Sequence, residues 1–222
     1  MFEDKVIQET EYGRLVRFRG VDRLLITGEG EKFLENYCRD EEEFESWIQC
    51  MCKKVPENAF LVRLGPREHH VIDIEALQEH DRLEGLIPDL MFRLATWTHF
   101  TGENHYGAVM EIVTLAEIQR YMAERGNEGK RYEFVPHKLY FGTEAFLITE
   151  WIEGRTWSRL EINEYPELYE VMEEFVEDLR GTGLHLDTAD GNFFYLGKNE
   201  ESGKPKFAVI DQLDTKLVEK LD

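Results

Sequence analysis

From His185 the chain reads His-Leu-Asp-Thr-Ala-Asp-Gly-Asn, and nineteen residues after Asn192 an aspartate, Asp211, ends the apolar run Phe207-Ala208-Val209-Ile210. Apolar segments enclose this polar stretch on both sides. From Pro166 onward, Leu168, Val171, Met172, Phe175, Val176 and Leu179 fall on one face of a helix. Gly181-Thr182-Gly183 ends that helix and delivers the chain directly to His185. Residues 193–196 and 207–210 read as two short strands across a Lys198-to-Pro205 turn. The fold must therefore hold a polar loop between an amphipathic helix and a strand pair, with a second aspartate at a strand end.

The rest of the chain alternates strand and helix signals. Residues 13–27 alternate apolar and polar positions as a β-hairpin with its turn near Gly20-Val21-Asp22. Asp40 to Lys54 puts Phe44, Trp47, Ile48 and Met51 on one helical face, acidic at its start and basic at Lys53-Lys54, and Pro56 closes it. A second hairpin is expected over 59–74 around Gly65-Pro66-Arg67-Glu68, then a polar helical piece around 75–84 and a strand over Leu90 to Trp97. The spacing predicts a helix over 107–125, with Val109, Ile112, Leu115, Ile118 and Met122 on one side. Two strands follow, Phe134 to Tyr140 and Ala145 to Thr149.

Composition narrows the function classes. At 222 residues, 42% hydrophobic and 12% aromatic, the chain supports one sizeable core or two small lobes. No run of eighteen apolar residues occurs, and Met1 to Lys5 lacks a signal-peptide layout, so a cytoplasmic protein without membrane attachment is expected. The charge of −20, from 46 acidic and 26 basic residues, repels nucleic-acid backbones and anionic membranes. An acidic surface also suits a protein partner with a basic groove. Cys38, Cys50 and Cys52 are odd in number and spaced unlike zinc ligands, so reduced thiols are expected.

Phosphoryl transfer needs metal ions to neutralise triphosphate charge and a carboxylate to orient the acceptor hydroxyl and take its proton. Asp187 is the candidate base. Asn192 and Asp211 offer hard oxygens to Mg²⁺, which phosphates and waters complete to an octahedron. His185 is the candidate structural member of this catalytic set, its imidazole expected to hydrogen-bond to the backbone around Asp211.

On the residues His185, Asp187, Asn192 and Asp211, the chain resembles the protein kinase-like superfamily, especially its small-molecule branch of aminoglycoside- and choline-kinase type. Phe146 to Gly154 looks like the strand, hinge and linker between kinase lobes. The resemblance implies an α+β, two-lobed kinase-like fold with an antiparallel-sheet N-lobe and a reduced C-lobe. Residues 1–58 would be an extension or elaborated N-lobe, 59–149 the N-lobe and 150–222 the C-lobe. It further implies ATP and Mg²⁺ as cofactors, with backbone from Glu150, Trp151 and Ile152 meeting adenine. Glu117 stands about where the helix glutamate that pairs with a strand lysine belongs, 33 residues before Glu150.

The departures are as specific. No lysine occurs between Lys54 and Lys130, so Arg93 is the cation near the phosphates, and its planar fork is not equivalent. Gly65 precedes Pro66, which removes an amide donor from any phosphate loop, and His69 and His70 beside it read as surface residues. Eleven residues follow Asp211. The expected activity is an ATP-dependent phosphotransferase acting on a small molecule or on a partner protein. The alternative is a catalytically dead kinase-fold interaction or inhibitor protein whose acidic surface binds a basic partner. A third class is an acidic nucleic-acid mimic without a kinase fold. So pared-down a chain would suit a bacterial or viral accessory protein.

Overall fold

The computed structural model describes residues 1–18, 21–54, 61–64, 90–94, 107–157, 166–188, 190–212, 214 and 217. The expected strand over 70–74, the Gly65-to-Glu68 turn, His69, His70 and the helical piece at 75–84 lie outside these residues. The chain divides into two compact units, Met1–Val109 with Lys138–Trp151, and Met110–His137 with Ile152–Asp222. The architecture is mixed α+β.

The first unit is built on an antiparallel sheet of seven strands. These are β1 (Val6–Thr10), β2 (Gly13–Phe18), β3 (Val21–Ile26), β4 (Leu61–Leu64), β5 (Leu90–Leu94), β7 (Leu139–Gly142) and β8 (Phe146–Glu150), in the order β1-β2-β3-β7-β8-β5-β4. The hairpin expected over 13–27 is the β2–β3 pair, with Leu15 opposite Leu25 and Val16 opposite Leu24. The strands β1, β2 and β3 thus join the same sheet as the later strands, through β3 pairing with β7. Of the strand expected from Leu90 to Trp97, Leu90–Leu94 form β5 and residues 95–97 lie outside the described residues; Arg93 pairs in register with Leu61 of β4 and Leu147 of β8.

Helix α1 (Gly28–Tyr37) has no counterpart in the sequence reading. Thr27 caps it, accepting from the Gly30 N–H at 3.0 Å while its hydroxyl donates to the Leu139 carbonyl. Gly30 is required because a Cβ there would lie 2.3 Å from the Tyr140 carbonyl oxygen. Helix α2 (Glu41–Lys54) follows, and Asp40 accepts from the Glu43 N–H at 2.9 Å at its start. Phe44, Trp47 and Ile48 are buried as the helical spacing predicts. They pack with Phe33, Tyr140 and Phe141 into an aromatic core. Phe2 enters the same core, edge-on to Phe18 and Phe44, in a left-handed conformation (φ 61°) held by its N–H donating to Glu41 at 2.6 Å. Cys38 is a free, buried thiol pushed up to about 12 by burial and the nearby Glu43 and Asp40.

The second unit has a four-stranded sheet ordered β6 (Glu133–Phe134), β11 (Pro205–Val209), β10 (Phe193–Lys198) and β9 (Arg155–Thr156). β6 lies parallel to β11, whereas β10 is antiparallel to both neighbours. Helix α3 (Gly107–Arg125) begins in the first unit and runs mostly in the second. Helix α4 (Pro166–Arg180) buries Leu168, Met172, Phe175, Val176 and Leu179 of the stripe its periodicity predicts, and leaves Val171, its sixth member, half-buried. Asp178 on its outer side takes Lys130 and the Tyr132 hydroxyl, each at 2.5 Å. Partial burial alone would raise this carboxyl, but those two donors outweigh it and hold it below its usual range.

The single strand expected from Phe134 to Tyr140 is two strands in different units. Residues 135–138 separate β6 from β7, and Pro136 within them lacks the N–H a ladder needs. His137 in this connection is buried, and burial pushes its imidazole down to about 4. An unfolded histidine titrates near 6.5, so its stabilising contribution is complete above about pH 6.5 and is lost as pH falls toward 4. We expect the wild type to lose roughly 3 kcal/mol over that window relative to His137→Leu, at about 1.4 kcal/mol per pKa unit. Urea unfolding of both proteins at the two ends of the window measures it. Parallel pH profiles for the two would show that His137 titrates normally.

Candidate active site

The second unit gathers the polar loop through buried polar side chains. Helix α4 ends in turns where the Thr182 N–H meets the Leu179 carbonyl at 2.9 Å and Gly183 takes φ 74°, reversing the chain. A 3-10 turn, Asp190–Asn192, then leads into β10. The facing segment is the end of β11, and the Ile210 N–H donates to the Asn192 carbonyl at 3.0 Å.

Asn192, Gln212 and Asp214 are 7%, 0% and 2% exposed, and each hydrogen-bonds backbone groups around the loop. The Asn192 amide nitrogen lies 3.4 Å from the carbonyl oxygens of both Asp187 and Asp211. Gln212 accepts from the Asp187 N–H at 2.9 Å and donates to the Asp187 carbonyl at 2.9 Å and the Ile210 carbonyl at 3.2 Å. The Asp214 carboxylate accepts from the His185 N–H at 2.8 Å. Its own N–H donates to the Thr114 hydroxyl at 3.0 Å, and Thr114 donates to the Met110 carbonyl at 2.8 Å. Asp187 is left exposed and Asp211 half-buried.

Asp211 has φ 56°, one of two non-glycine residues with positive φ among those described. Aspartate tolerates this left-handed region better than most residues, and its use at the end of a strand changes the chain direction there.

Four of the expected site residues therefore converge: His185, Asp187, Asn192 and Asp211. His185 takes part differently from the expectation. Its backbone N–H makes the cross-link, whereas its side chain is exposed, because the Asp214 carboxylate supplies the buried acceptor. Glu117 forms an ion pair at 2.5 Å with Arg120, one turn along its own helix. Glu150 ends β8 opposite Leu90 and accepts from the Lys138 N–H at 3.2 Å. Trp151 and Ile152 are half-buried where the chain passes from the first unit to the second.

Sequence reasoning missed Gln212, Asp214 and Thr114, whose roles depend on contacts across 25, 29 and 100 residues.

The donor set bears on a metal. No group of three or more His, Cys, Asp or Glu side chains among the described residues could hold an ion by itself. Asn192 commits its amide nitrogen to the two carbonyls, and no described residue donates to its Oδ1. That oxygen and the Asp211 carboxylate are hard donors of the type Mg²⁺ takes beside waters and phosphates, and neither is the soft thiolate or imidazole that a softer ion prefers. No helix among the described residues is long and apolar enough to cross a membrane. No protein-family model, no curated protein and no solved structure matches this chain.

Proposed function

We propose that the chain is an ATP- and magnesium-dependent phosphotransferase of protein kinase-like type, acting on a small molecule or a partner protein. The observation that carries this reading is the Asn192 amide, which sits within 3.4 Å of the backbone of both Asp187 and Asp211. Residues spaced five and nineteen positions from Asn192 thereby share one site. The exposed Asp187 carboxylate orients an acceptor hydroxyl and takes its proton, while Asn192 and Asp211 hold magnesium. Magnesium, when bound, neutralises charge on the phosphates. The antiparallel sheet of the first unit, with β5 beside β8, supports reading that unit as an N-lobe.

A second reading is a catalytically dead kinase-fold protein that binds a basic partner. Helix α4 favours it by exposing Glu167, Glu170, Glu173 and Glu177, and so does arginine at position 93.

A thermal-shift titration with ATP and Mg²⁺ tests the site. Ligand at a hundred times its Kd stabilises the native state by about 2.7 kcal/mol. We expect a magnesium-dependent rise in Tm for the wild type that Asp211→Ala abolishes. No magnesium-dependent shift at millimolar ATP would falsify the phosphotransferase reading.

A further inference from the structure

We infer that Gln212 is a positioning residue that sets the backbone of Asp187, and so aims its carboxylate. The inference rests on the phosphotransferase reading above and adds to it a residue that neither acts on phosphate nor holds metal. Gln212 is fully buried, and its one amide engages both backbone groups of Asp187: the N–H at 2.9 Å and the carbonyl at 2.9 Å. This copies the paired hydrogen bonds that one strand residue gives another, but here a side chain supplies them to a loop. The third bond, to the Ile210 carbonyl at 3.2 Å, ties the amide to the chain just before Asp211. The left-handed Asp211 stands between Ile210 and Gln212. One side chain thus fixes the relative register of the proposed base and the proposed metal ligand.

The chemistry explains why an amide is needed. A carboxylate at 212 could accept from the Asp187 N–H but would face the Asp187 and Ile210 carbonyls with no proton to offer. An apolar residue would leave a backbone donor and acceptor of the Asp187 loop without their present partner, at the cost of burying unmet polar groups. A displacement of about 1 Å in a reacting group can cost about a hundredfold in rate.

The test uses the full chain, with Mg·ATP hydrolysis to water as the assayed reaction and hydrogen exchange at the Asp187 amide as a second readout. Gln212→Ala is expected to speed exchange at that amide and lower kcat by roughly ten- to a hundredfold, with a smaller change in KM for ATP. Gln212→Glu is the conservative partner. Its carboxylate still accepts from the Asp187 N–H but has no proton for the Asp187 and Ile210 carbonyls, so its kcat should lie between those of wild type and Gln212→Ala. A purely structural role would lower Tm while leaving unchanged both kcat, measured well below Tm, and exchange at the Asp187 amide. If the wild type hydrolyses Mg·ATP and both variants keep its kcat, the positioning role is overturned alone. If the wild type neither binds nor hydrolyses Mg·ATP, the phosphotransferase reading falls and the positioning role falls with it.

Discussion

Replacing Phe175 with alanine is expected to lower the unfolding free energy of the second unit by about 3–5 kcal/mol. The ring is fully buried and is the hub of that unit's aromatic packing. It stands edge-on to Tyr132 at 5.1 Å and Phe193 at 6.2 Å, and stacks on Phe207 at 5.3 Å and Phe134 at 6.1 Å. These four partners come from β6, β10, β11 and the segment leading into β6, so no single neighbour can move in to fill the gap. A cavity with rigid walls keeps the full penalty of lost contacts. Domains are stable by only about 5–15 kcal/mol, so the substitution removes a large share of the margin. Urea unfolding followed by near-UV circular dichroism reports the loss. Glu173→Ala, on the exposed side of the same helix, is the control and should change stability by less than about 0.5 kcal/mol. Equal effects from the two would mean that the aromatic hub does not hold this unit together.

The stripe that carries Phe175 was legible in the sequence because helical burial repeats every three to four residues, and α2 and α3 were legible for the same reason. Helix α1 was hidden by its own composition. Gly28-Glu29-Gly30-Glu31 reads as a turn, and the reason for Gly30, its approach to the Tyr140 carbonyl, belongs to another strand 110 residues away. The order of the seven-stranded sheet was equally invisible. β5 lies between β4 and β8 through pairings separated by roughly thirty and fifty-five positions, which local alternation cannot encode.

The site divides along the same line. Asp187, Asn192 and Asp211 were legible because their chemistry is in their side chains and their spacing is fixed along the chain. Gln212 and Asp214 were not, because each serves a backbone N–H, and every residue but proline has one. His185 shows the converse. Its identity suggested an imidazole contact, whereas the structure uses only the backbone that any non-proline residue would bring.

Converting Asp187 to asparagine separates binding from chemistry. Its backbone N–H and carbonyl are both held by Gln212, so the substitution should leave the loop geometry in place. Asparagine keeps the size and shape of aspartate but cannot accept a proton at neutral pH. A positioned general base contributes about 10²–10⁴-fold to rate, and that is the expected loss of kcat, with the magnesium-dependent ATP shift retained. Asp211→Ala, by contrast, should lose shift and turnover together, since the proposed metal ligand is removed before any chemistry begins. The contrast decides between the two functional readings. Wild-type binding with turnover, and Asp187→Asn binding without it, is the signature of a phosphotransferase. Wild-type binding with no turnover on water, small hydroxyl compounds or added basic proteins would instead assign the site to nucleotide-dependent partner binding, and full activity in Asp187→Asn would remove Asp187 from the role of base.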